Sequence, residues 1–195
     1  MRETAKLDLA KGDRTRVRIL DEAVELASVQ GLGGLTIGPL ADRLGLSKSG
    51  LFAHFQSKEA LQVETLDRAA VLFRAAVTEP LRAEPDRAKR LKLFFARWID
   101  WLDQSGFSGG CPILAAAIEF DDVPGPVHDT AARHFGELQR LIVKFARAAC
   151  PQADPDVIAA GVTGLAMSHL VRMRLLGDRK ARAVTMRAFD VLLAG

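Results

Sequence analysis

The chain has 195 residues, 49% of them hydrophobic, enough to bury a real core in one large domain or in a small domain fused to a larger one. Its formal charge is only +3, from 27 Lys+Arg against 24 Asp+Glu, with a pI near 9.1, a balance that neither demands nor repels a nucleic-acid partner. Two cysteines, Cys111 and Cys150, are too few for a disulfide framework; the first residues lack the apolar stretch of a signal peptide, and no uncharged apolar run approaches about 18 residues. These features exclude a disulfide-stapled or membrane-spanning chain and point to the cytosol.

Apolar residues follow a helical period nearly throughout, with no alternating run and no Asn-Gly hairpin, so the expected class is all-α. Residues 1–12 are polar and patternless and read as a loose arm. A first helix from Asp13 to Gln30 lines Val17, Leu20, Val24 and Ala27 on one face and stops at Gly31, Gly33 and Gly34. Thr36 is placed to cap a short second helix carrying Ile37, Leu40, Ala41 and Leu44, which Gly45 ends. Ser47 is placed to cap a third short helix holding Leu51 and Phe55, and Ser57 a long fourth with Leu61, Leu66, Ala69, Ala70, Phe73 and Val77 inward.

Pro80 and Pro85 mark a connection, followed by a helix from about Asp86 to Gln104 with Leu91, Phe94, Phe95, Trp98 and Leu102 inward. After a glycine-rich loop at Gly106–Gly110, Pro112 opens a short apolar helix, Ile113–Phe120. Val127–Ala149 forms a further helix, and two more run roughly Asp156–Leu176 and Arg179–Leu193, for an expected total of nine helices and no sheet.

The second and third helices are too short to fold alone and must pack on Val17, Leu20 and Val24. That arrangement leaves Lys48, Ser49, Phe52 and His54 outward, with Gly50 beside them, a small, polar and cationic face suited to a major groove. Helix starts at Ile37, Lys48 and Lys58 offer free N–H groups and a positive dipole end to phosphate. The stretch Leu35–Leu61, from the Gly-Leu-Ser turn to the His-Phe-x-Ser-Lys-Glu ending, resembles the DNA-binding signature of the TetR family of repressors, specifically over about residues 14–64.

The resemblance implies a two-domain architecture: a helix-turn-helix DNA-binding domain at 13–58 and a ligand-binding and dimerisation domain at 59–195. It implies a dimeric repressor that binds an inverted repeat in double-stranded DNA and is released by a small molecule, with no catalytic role, cofactor or membrane; the lack of tyrosine in the chain points to a largely apolar effector. It assigns Thr36 to the cap and a phosphate, Ser47, Lys48, Ser49 and Gly50 to the groove, and His54 and Lys58 to the DNA backbone. The family usually has tyrosine where Phe52 stands, so one phosphate contact is lost. With Gly50 and Ala53 mute, part of the specificity falls to DNA shape and to the arm cations Arg14, Arg16 and Arg18.

The two last helices are the candidates for the dimer surface, with Ile158, Val162, Leu165, Leu170, Met173 and Phe189 as contacts, and Ala159, Ala160, Gly161 and Gly164 allowing close approach. The alternative is that these helices only close the core. Arg172, Arg174, Arg179, Lys180, Arg182 and Arg187 read as solvated edge charges. Candidates for the effector pocket are Phe73, Phe94, Trp98, Phe107, Cys111, Phe120, Phe135 and Met167, each of which is also plausible core. Cys111, at a helix start, is either a thiol activated by the helix dipole or a small buried hydrophobe. Glu119, in an otherwise apolar helix, needs a structural partner or faces a polar group of the effector. His128 and His134 are not at a helical ligand spacing, so no metal site is expected. Two other readings remain open: an enzyme with Cys111 as nucleophile and His128 or His134 as base, and a regulator without a small ligand.

Overall fold

A computed structural model describes residues 11–104 and 107–194, so most of the expected arm lies outside the described residues. Among the described residues there are nine α-helices and no strand: α1 Lys11–Gln30, α2 Ile37–Leu44, α3 Lys48–His54, α4 Lys58–Phe73, α5 Lys89–Gln104, α6 Pro112–Glu119, α7 Pro126–Ala149, α8 Pro155–Arg174 and α9 Ala181–Ala194. No helix among them is long and apolar enough to cross a membrane.

The helix boundaries follow from polar and glycine signals. Gly45 adopts φ +64° and closes α2; its N–H reaches Asp42 O at 3.2 Å and that of Leu46 reaches Ala41 O at 2.9 Å, the paired bonds of a Schellman end. Ser47 Oγ accepts the Gly50 N–H at 3.0 Å at the start of α3, and Ser57 Oγ accepts the Ala60 N–H at 3.0 Å at the start of α4. Thr36 has the extended backbone of a cap but its side chain accepts no cap hydrogen bond, so half of its expected role is absent. Helices α6, α7 and α8 each begin with a proline, where a missing N–H costs nothing.

Helix α4 does not stop at a loop. It continues through a π-helical turn, Arg74–Thr78, into a 3₁₀ turn, Glu79–Ala83, with Val77 and Leu81 buried. Pro80 sits in the first turn of that 3₁₀ segment, so the proline that reads as a connection in the sequence lies inside a helical run.

In the α1–α3 head, Leu51 and Phe55 share one buried core with Ile19, Leu20, Ala23 and Leu40. Helix α4 is shared, lying against α1 on one side and α7 on the other. In the body, α5 is amphipathic, with its charged residues on one side, and buries Phe94, Phe95, Trp98 and Ile99 completely. Phe95 stacks on Phe189 at 4.1 Å, and Phe94 meets Phe145 at 5.8 Å.

This packing revises the expected subunit contacts. Ile158, Val162 and Phe189 are 4%, 0% and 0% exposed and serve the core of their own chain. Leu165, Leu170 and Met173 are half-buried. Gly161 lies against α9, where a Cβ would meet Leu192 at 2.7 Å, whereas a Cβ on Gly164 would meet nothing. The face of α8 left open carries Val157, Ala160, Gly164 and Val171.

Candidate nucleic-acid interface and effector cavity

On α3, Leu51 and Phe55 point into the head, which forces Ser47, Lys48, Ser49, Gly50, Phe52 and Ala53 outward; His54 is half-buried. Phe52 leaves half of its surface in solvent, and among the described residues its ring stacks on no other ring. Ser47 spends its hydroxyl on the cap and lies 3.2 Å from Ser49 Oγ, so the cap also orders the second serine. Lys58 is exposed but not idle: its Nζ donates to Gly33 O at 2.6 Å, leaving two ammonium protons free.

Arg16 is no arm residue. Its guanidinium donates to His54 O at 2.5 Å and to the Glu64 carboxylate at 2.5 Å, and it lies 4.7 Å over the Phe55 ring. It therefore caps the C-terminal end of α3 and ties it to α4, by charge at the negative end of the dipole and by a cation–π contact. Sequence pattern missed this role because Glu64 lies 48 positions away. Arg14 and Arg18 are exposed on α1.

The expected pocket residues separate into two groups. Phe73, Trp98 and Cys111 line one cavity of about 120 Å³, with Ile113 and Leu114 from α6 and Leu138 and Leu141 from α7. Phe94, Phe107, Phe120, Phe135 and Met167 lie outside it: Phe94 is core, Phe107 meets Trp101 edge-on at 5.3 Å, and the other three pack half-buried against the core. The polar lining was not foreseen. Arg74 and Thr78 come from the π-helical turn, and His134 and Glu137 from α7. Arg74 and Thr78, four apart on the helical run that continues α4, lie with Ala70 and Phe73 on the same wall.

Asp67 of α4 orients the His134 ring, accepting from Nε2 at 2.8 Å and from Arg133 at 2.7 Å. Partial burial works to raise the Asp67 pKa, but the hydrogen bonds and charges of Arg133 and His134 outweigh it and hold the carboxyl below its ordinary value. Cys111 goes the other way: burial raises its thiol pKa, so it is a neutral, buried lining group and not an activated nucleophile. His169, fully buried, bonds Asp103 at 2.7 Å and Thr185 at 3.3 Å; Arg182 pairs with the same Asp103 and with Asp100. Arg182 is thus a strut between α9 and α5, not an edge charge, and Arg172 likewise pairs with Asp178. No group of His, Cys, Asp and Glu among the described residues could hold a metal ion.

Glu119 has a structural partner of an unexpected kind. Its carboxylate accepts the backbone N–H groups of Leu32 and Gly33, at 2.9 and 2.7 Å, in the loop between α1 and α2.

Two family models match the chain: bacterial regulatory proteins of the tetR family over residues 19–65, and the tetracyclin repressor-like C-terminal domain over residues 88–189. The HTH-type transcriptional activator FasR of Mycolicibacterium smegmatis is 30% identical over 165 residues, covering 85% of this chain and 67% of that protein. A TetR-family transcriptional regulator from Cytophaga hutchinsonii superposes with a TM-score of 0.82 at 25% identity, over 96% of this chain and 97% of that one. AibR, solved in complex with isovaleryl coenzyme A and operator DNA, superposes with a TM-score of 0.70 at 20% identity, over 89% and 98%. The matched families are transcription regulators and not enzymes, and the chain belongs to the TetR family of DNA-binding regulators.

Proposed function

We propose that the chain is a dimeric repressor that occupies an inverted-repeat operator and leaves it when a small effector fills the body. The observation that carries this reading is the α3 face: a capped, two-turn helix locked by Leu51, Phe55 and Arg16, presenting only small, polar and cationic groups with one exposed aromatic ring. Ser47, Lys48, Ser49 and Gly50 enter the groove, Phe52 packs on sugar or a thymine methyl, and Thr36, His54 and Lys58 meet phosphates. The unbonded Thr36 hydroxyl and the spare Lys58 protons support those contacts.

A helix-turn-helix that reads a palindrome works in pairs. The open α8–α9 face, with Val157 61%, Val171 50% and Val191 73% exposed, supports pairing there, around the uncovered Gly164. The effector is compact. A cavity of about 120 Å³ is of the size that takes a single aromatic ring. Its floor is apolar, and Arg74, Thr78, His134 and Glu137 offer its polar groups a partner. AibR, solved with both isovaleryl coenzyme A and operator DNA, supports a fold of this kind carrying a small-molecule ligand as well as DNA, though its ligand is far larger than the one this cavity fits. The similar FasR is an activator by name, so the direction of control is a distinct test.

The deciding experiment places the DNA upstream of the chain's own gene before a reporter and in a mobility-shift assay. Repression, a shifted band and release by a metabolite that also raises the thermal midpoint support the reading. Reporter activation would remove the repressor assignment, and a midpoint unmoved by any compact apolar compound would remove the effector.

A further inference from the structure

The loop between α1 and α2 is gripped from two sides. From the body, Glu119 in the last turn of α6 accepts the Leu32 and Gly33 N–H groups. From α4, Lys58 Nζ donates to Gly33 O at 2.6 Å and Gln62 Nε2 to Leu32 O at 2.7 Å. The glycines make room for the carboxylate: a Cβ on Gly33 would stand 2.4 Å from Glu119 Oε1, and one on Gly31 3.0 Å from Oε2. The peptide groups of this loop are thus satisfied by one residue of the body and two of α4, with little slack.

A second grip lies close by. The Gly110 N–H donates to Ser28 O at 3.1 Å and the Gly109 N–H to Ser28 Oγ at 3.0 Å. A Cβ on Gly109 would fall 1.8 Å from Ser28 O, so only glycine allows this approach. Both grips come from one stretch of the body, Ser108–Glu119, and they hold the end of α1 and the loop after it. Helix α4, the covalent link, is also tied to α1 by Arg16–Glu64 and Arg68–Asp21. Without Glu119 the α1–α2 loop loses its bonds to the body, and the head is held there by α4 and by the grip on the end of α1 alone.

We propose that Glu119 is a positioning residue for DNA recognition: by pinning the α1–α2 loop to α6 it sets the angle of α2 and α3 on the body, and thereby the half-site spacing that paired heads accept. This rests on the dimer reading above. One base pair added between half-sites moves one of them by about 3.4 Å and turns it by roughly 35°. A head pinned at the α1–α2 loop resists that change; a head released there can tilt toward it.

The test uses the full-length chain, E119A and E119Q. The probes are an inverted repeat selected from randomised duplex DNA by the wild type, the same repeat with one or two base pairs inserted or removed, and a single half-site. The wild type is expected to favour its selected spacing by about tenfold or more, E119A by no more than about threefold, with single half-site affinity unchanged. E119Q keeps one acceptor and falls between. A structural role alone would lower the thermal midpoint and weaken every probe in parallel, leaving the spacing ratio intact; that result overturns the proposal. Should E119A fail to fold, E119Q carries the same decision. A wild type that sediments as a monomer and ignores spacing overturns the dimer reading together with Glu119's role. A spacing-selective wild type with an equally selective E119A removes only Glu119.

Discussion

Helices α2 and α3 are held by polar devices at their ends, whereas α5, α8 and α9 are held along their lengths by apolar contacts and by ion pairs between helices. In the head, Gly45, Ser47 and Arg16 close the short helices, so the residues that stop a helix also decide which side faces out. In the body, α5 is covered on most sides, and what α8 shows to solvent depends on where α9 and α5 lie against it. The head is therefore a surface fixed by local chemistry, and the body a volume fixed by packing.

Core holes of equal chemistry in the two regions should separate them. Phe55→Ala and Phe189→Ala each empty a fully buried ring site, at a cost of about 3–5 kcal/mol. Phe55→Ala also removes the floor beneath Arg16, so operator binding should vanish with it. Phe189→Ala should lower the melting temperature by a similar amount yet leave operator affinity near wild type while the protein stays folded. Equal losses of DNA binding from both would mean that head and body do not differ in this way.

A pair of glutamates on α8 probes the body's two sides. Val162→Glu buries a charge and should prevent folding, as judged by circular dichroism. Val171→Glu, at a half-exposed position, should keep the helical signal and convert a dimer to a monomer in analytical ultracentrifugation. A dimeric Val171→Glu would move the subunit contact elsewhere.

That contrast also explains what could be read before the fold was known. The caps at Ser47 and Ser57, the Gly45 turn and the outward face of α3 were legible because each depends on residues within a few positions. The all-α class and the inward faces of α4 and α5 were legible from periodicity. The far partners were not: Arg16 to Glu64, Arg182 to Asp100 and Asp103, and Glu119 to the α1–α2 loop join residues with no local signature. Helix α8 is apolar on two sides, and periodicity alone does not say which side meets its own core and which stays open. The cavity was half legible, since aromatic residues are common in both core and pocket, while nothing local marks Arg74 and Thr78 as part of its wall.

Smaller effects come from the cations and caps of the head. Lys58→Ala should weaken operator binding about equally across sequences and reduce the salt slope by about one, since a phosphate contact carries no base information. Unchanged slope and affinity would leave Lys58 only its bond to Gly33. Ser47→Ala should cost about 1 kcal/mol of stability through the lost cap. It should also weaken DNA binding more than a matched surface Ser→Ala, because Ser49 and the start of α3 lose their anchor.

The least of these effects lies at the body's own polar device, and it tests whether that device is ionic. Asp67 joins α4 to the cavity wall through His134 and Arg133, and its folded pKa lies below its ordinary value. A carboxyl with a depressed folded pKa adds stability above its unfolded value, about 3.9, and loses that contribution as the pH falls through the folded value. Wild-type stability should therefore drop on acidification from about pH 5, while Asp67→Asn, uncharged throughout, should show a shallower decline. The two curves should converge at the acid end. Because Asp67 is half-exposed, solvent screens the gap to a small one. Parallel curves would make the Asp67–His134 contact a neutral hydrogen bond. Converging curves would show that the body carries a charge between its helices at the wall of the cavity.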